Sequence, residues 1–152
     1  MRMQRLAPLW AVSIFLLALS GCAGNDKPSP ADVETAAFEE LRSELRSVIK
    51  DPARSEQALA IVDDLQLTFS ALRDHLFDRR VKVAKINADY DASREDAIAI
   101  LNEIQDEMAS NQQQISMLHR QLAKVTTSRE WSKLAKTKSA TMNAAIDSIR
   151  AI

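Results

Sequence analysis

From Ala53 to Ile152 the chain runs for 100 residues without one glycine or proline. The glycines are Gly21 and Gly24, and the prolines are Pro8, Pro28, Pro30 and Pro52. Sheets need frequent reversals, and tight reversals draw on Gly, Pro or their stand-ins. Aromatic residues make up only 5% of the chain, and β-branched runs are short. A sandwich, a barrel and a doubly wound sheet are therefore excluded. The expected class is all-α, an elongated antiparallel coiled coil or helical bundle. With 46% hydrophobic and 27% charged residues the chain has the means to bury a core, which excludes wholesale disorder.

Local signals divide the helical stretch. Ser29-Pro30-Ala31-Asp32 opens a first helix: Ser caps, Pro suits the first helical position, and Asp supplies acid to the first turn. Phe38, Leu41, Leu45 and Val48 step by three and four along one face, so a short helix is expected over about 30–50. Asp51-Pro52 restarts the chain, since the residue before a proline avoids helical angles. Near the other end, Thr127-Ser128-Arg129-Glu130 has the form of a capping box. It predicts a C-terminal helix over about 128–150, with Trp131, Ala135, Met142, Ala145, Ile149 and Ile152 on one stripe.

Between these boundaries lies a seven-residue series from Val62 to Val125, and only Asn111 among its members is polar. A second stripe, Leu101, Met108, Ile115 and Leu122, strengthens in the later half. The apolar seam thus rotates near residue 97, where a strict heptad would have kept one face. Rotation implies that the two halves meet different partners. Residues 52–125 as one helix would be about 110 Å long. The alternative is a hairpin broken near 87–93, where Asn87 would end one helix and Ser93-Arg94-Glu95-Asp96 would cap the next. The even spacing Val83–Tyr90–Ala97–Ile104, with no breaker, favours the continuous helix. Its flanking helices are too short to cover it. Leu76, Val83, Ile86 and Tyr90 are then an exposed seam for self-association or for a partner helix.

The first residues belong to no fold. Arg2 and Arg5 precede the apolar run Leu6–Ala18, which is too short to span a bilayer, and small residues follow it. This is the layout of a signal peptide over 1–21. It ends Leu19-Ser20-Gly21-Cys22, which resembles the lipobox of bacterial lipoproteins at all four positions. The resemblance implies diacylglycerol on the Cys22 sulfur, cleavage before Cys22 and acylation of the new amino group. Ala23, rather than Asp, follows Cys22, which in enteric-type bacteria implies passage to the outer membrane. Cys22 is the only cysteine, so no internal disulfide forms, and acylation would account for a lone thiol in an oxidising compartment. Residues 22–29 read as lipidated cysteine and tether, and 30–152 as a single helical domain.

Little in the remainder points to chemistry. No glycine after Gly24 is present to build a phosphate loop or a nucleophile elbow. His75 and His119 lie 44 residues apart, and neither has a Glu three positions before it, so metal-ligand spacing is missing. Both read as solvated helix residues. Asp89-Tyr90-Asp91 resembles the start of a calcium loop, but Arg94 stands where that loop needs Gly and Ile100 where it needs Glu. Asn111 reads as tolerated beside a polar run, and Trp131 as a packing anchor. Removing residues 1–21, which carry two Arg and no acid, leaves 18 basic residues against 21 acidic, a net of −3. That balance argues against nucleic acid as a partner.

The expected protein is a non-catalytic structural or adaptor lipoprotein, held by its lipid at the periplasmic face of the outer membrane. It works through helix–helix contacts with a protein partner or with copies of itself. No cofactor beyond the covalent lipid on Cys22 and no small-molecule substrate is indicated. The alternative is a periplasmic holdase with helical arms.

Overall fold

A computed structural model describes residues 27–152. The expected signal peptide, the expected lipobox residues Leu19, Ser20 and Gly21, and Cys22 lie outside the described residues. Four helices follow one another: α1 (Pro30–Val48), α2 (Pro52–Ala88), α3 (Arg94–Val125) and α4 (Ser128–Arg150). The described residues contain no strand, and the all-α expectation holds.

Each helix starts on a cap legible in the sequence. Ser29, Ser93 and Thr127 head reciprocal capping boxes with Asp32, Asp96 and Glu130. The Asp51 carboxylate accepts from the Arg54 amide at 2.8 Å. These side chains take up amides that the first helical turn cannot satisfy. The Ser29 and Ser93 groups also hold the Asp32 and Asp96 carboxyls below their usual range.

The expected continuous helix over 52–125 is not what forms. The chain reverses over Asp89–Ser93, and α2 and α3 pack as an antiparallel hairpin. The reversal needs no glycine. Asp89 and Ser93 sit at φ of −91° and −83°, so neither cap enters the left-handed region. The Asp89 carboxylate accepts from the Asp91 amide at 3.0 Å, and the Asp89 carbonyl from the Ala92 amide at 3.3 Å. An Asx turn thus does what Gly does elsewhere. The heptad spacing across Tyr90 is a coincidence of phase between two helices.

α1 and α4 form a second antiparallel pair, and α2 packs against both. The core lies where these helices meet. Phe38, Leu41, Leu45, Val62, Leu65 and Leu134 are buried, joined by Leu118 and Leu122 from α3. Here the stripe on α1 read from the sequence faces α2 and α4. The two ends of this base are distinct. At the bottom, the α1–α2 turn and the α3–α4 elbow come together through Arg54, which reaches Glu130 at 2.8 Å and the Val125 carbonyl at 3.3 Å. At the top, or shoulder, α1 begins and α4 ends. Past the start of α1 and the end of α4 only α2 and α3 continue, to the reversal at Asp89–Ser93.

Candidate functional site

The largest concavity lies on the open side of the base. α3 packs on α2 and hardly touches α4, so a gap remains between α3 and α4 with α2 beneath. Phe69, Leu72 and Leu76 form the floor. Leu101, Met108 and Ile115 stand along the α3 wall, and Met142, Ile146 and Ile149 along the α4 wall. The groove has a volume of about 960 Å³. Its walls are exposed: Leu101 by 60%, Met108 by 51% and Ile146 by 40%. Three exposed apolar side chains converging on one trough are unlike the scattered exposure normal for a surface.

The second sequence stripe explains this wall. Leu122, Ile115, Met108 and Leu101 recur every seven residues up one face of α3. Leu122 is in the core and Ile115 is half-buried, while Met108 and Leu101 are open. The stripe leaves the core where α3 stands off from α4 across the groove. The two halves that rotation of the seam set against different partners pack on each other instead, as α2 and α3 of the hairpin.

A buried polar cluster fixes the shoulder beside the groove. Glu34, only 2% exposed, accepts from the Arg73 guanidinium and from the Ser148 hydroxyl. It ties α1, α2 and α4 together at one point. A buried charge is tolerated where its partners satisfy it, and removal of one partner strands the other. Lower down, the Thr141 hydroxyl lies 2.9 Å from the Thr137 carbonyl and 3.0 Å from that of Ala37, bridging α4 to α1. At the elbow, the Arg54 guanidinium, aided by the Thr127 amide, pulls the Glu130 carboxyl down to about 2. The same contact raises Arg54.

His119 is not a solvated residue. It is half-buried against Trp131, with ring centroids 5.1 Å apart. Lys138 stands on Trp131 with its Nζ 3.3 Å from the ring centroid, a cation–π arrangement. Burial, with the Lys138 charge second, holds the His119 imidazole below its ordinary range. Burial also lowers the Lys138 ammonium. Trp131 packs on the core, as expected of an anchor.

Of the expected seam, Leu76, Val83 and Ile86 are half-buried, because the hairpin supplies α3 as a neighbour that a continuous helix lacks. Tyr90 alone is fully exposed, at the tip. Leu76 ends up on the groove floor. His75 pairs with Glu107, and Arg79 pairs with Glu103, across the hairpin. The Asn111 amide donates to the Glu107 carbonyl of its own helix at 2.9 Å, so it sets no register. The Asp89 carboxylate is engaged in the turn. Among the described residues no three His, Cys, Asp or Glu gather as a metal site, and no helix is long and apolar enough to cross a membrane. The Glu34–Arg73–Ser148 cluster has no sequence signal, since its members are 39 and 75 residues apart.

No family model, curated protein or solved structure matches this chain.

Proposed function

We propose that the chain is a lipid-anchored protein of the bacterial cell envelope, held by acyl groups on Cys22, and that it serves as a non-catalytic adaptor. The observation that carries this reading is the adjacency of two signals. Leu19-Ser20-Gly21-Cys22 is complete, and a capped helix begins only eight residues after Cys22, at Pro30. A short tether on a helical scaffold suits a device that presents surfaces near a membrane. The fold lends support in its topology. α1 starts at the shoulder, so the tether and the α2–α3 arm leave from the same end of the base. The buried polar groups of the base are engaged in structural bonds, with Glu34 held by Arg73 and Ser148 and Thr141 bridging to α1, which favours a scaffold over an enzyme.

The test is membrane fractionation together with mass spectrometry of the N-terminal peptide. The reading expects an acylated Cys22 and an outer-membrane protein, and release of the Cys22→Ser chain into the soluble periplasm. An unmodified Cys22 in a soluble protein would overturn it. The projecting arm favours one second reading, a holdase that shields unfolded chains. Crosslinking from Tyr90, fully exposed at the tip, separates the two. One discrete captured protein supports the adaptor. Many clients, with suppressed aggregation of a model unfolded protein, support the holdase.

A further inference from the structure

The apolar groove carries three marks of its occupant. The first is its charge. Along its whole lining Arg150 is the one charged residue, and Arg150 closes α4 at the shoulder. Grooves that choose a partner helix use flanking charges to set register and orientation, and these walls offer Gln105, Gln112 and Ser116 instead. The second is its length. From Leu101 to Ser116 the α3 wall covers 16 residues, a rise of about 22 Å. One acyl chain spans half of a bilayer core, about 15 Å. The third is its position. Leu72 precedes Arg73 and Ile149 follows Ser148, and it is Arg73 and Ser148 that hold Glu34 in α1. The groove end lined by Arg150 therefore lies at the shoulder, the end of the base where α1 begins. Ser29 stands seven positions after Cys22, at most about 25 Å of extended chain. That length allows a group on Cys22 to come to the shoulder.

We propose that the groove seats one of the acyl chains carried by Cys22 of the same molecule. This rests on the lipid-anchored reading above, in which Cys22 bears more than one chain. Moving an acyl chain from bilayer to groove exchanges one apolar setting for another, and covers Leu101, Met108 and Ile146 in the process. Met108 and Met142, unbranched and adaptable, suit a ligand without fixed shape. The remaining chains hold the bilayer. One seated chain draws the shoulder against the membrane and gives the arm a fixed stance, which a tether alone does not.

In-cell photo-crosslinking of the full chain tests this. A photoreactive residue replaces Met108 or Ile146, and Leu67, exposed and outside the groove, serves as control. Circular dichroism of each variant checks that helix content is unchanged. The expected result is an α3 or α4 peptide joined to the acylated N-terminal peptide of the same chain, from Met108 and Ile146 but not from Leu67. That product is lost in the Cys22→Ser chain. Crosslinks to free phospholipid, to a second copy or to another protein in place of the N-terminal peptide overturn the proposal. The same spectra separate the two levels of failure. An unacylated Cys22 sinks the lipoprotein reading and this inference with it. An acylated Cys22 peptide that never joins α3 or α4 sinks the groove assignment alone.

Discussion

The base and the arm are made from the same kind of sequence and hold together in different ways. In the base, four helices meet and side chains such as Phe38, Leu41 and Val62 are removed from water entirely. Between Leu72 and Leu118 no residue is buried. Two helices alone cannot enclose a side chain. Their contacts are half-buried apolar residues such as Val83 and Ile86, together with an ion pair from Arg79 to Glu103 and a polar contact of His75 with Glu107. Exposed pairs of this kind contribute little, commonly under about 1 kcal/mol each. Helicity is thus set by composition along the whole chain, and stability by how many helices surround a position. The base is expected to unfold as a unit and the arm to open locally below that limit.

The largest way to break this contrast is Phe38→Ala. A core phenylalanine reduced to alanine costs about 3–5 kcal/mol. Urea denaturation of the Cys22→Ser chain is expected to show that loss for the whole molecule, whereas Val83→Ala in the arm leaves the midpoint nearly unmoved. Equal effects would show that the arm belongs to the same cooperative unit.

Next in size is Glu34→Ala. Removing one member of a buried ion pair costs about 3 kcal/mol, because the Arg73 charge is left without its partner. The double variant Glu34→Ala, Arg73→Met is expected to recover part of that loss in the same denaturation experiment. Additive losses would show that the two residues act separately.

A smaller effect sharpens the contrast from the other side. Ser93→Ala removes the N-cap of α3, worth about 1 kcal/mol. Hydrogen exchange is expected to accelerate over the first turns of α3 and the end of α2, with amides in the base unchanged.

The smallest effect concerns pH. Glu130 has a folded pKa of about 2 against an ordinary 4.5, through Arg54 and the Thr127 amide. A depressed carboxylate adds stability that is fully present above its unfolded value and is lost as pH falls through the folded one. The elbow clasp is therefore expected to weaken between about pH 4.5 and 2. In Glu130→Gln, thermal melts across that window are expected to depend less on pH than in the unsubstituted chain.

The contrast also explains what could be read in advance. The caps at Ser29, Asp51 and Thr127 are local chemistry, complete within four residues, and each marks a real helix start. The reversal at Asp89–Ser93 was harder to place, since its turn uses Asp in place of Gly and the heptad series runs through Tyr90 without a break. In the arm, a heptad on one helix and a heptad on two cannot be told apart by spacing alone. The α3 wall of the groove was visible as the stripe Leu101, Met108, Ile115, but its meaning depends on where α4 ends. The Glu34 cluster joins three helices and has no local trace.

The division into base and hairpin arm is tested most directly by one distance. Spin labels at Asp74→Cys and Ser110→Cys, in the Cys22→Ser background that leaves no other thiol, sit on exposed positions of α2 and α3. Adjacent antiparallel helices lie 8–10 Å apart at their axes, so double electron–electron resonance is expected to give roughly 10–20 Å between labels. A separation of about 54 Å, the length of 36 residues in one unbroken helix, would contradict the hairpin and the arm together.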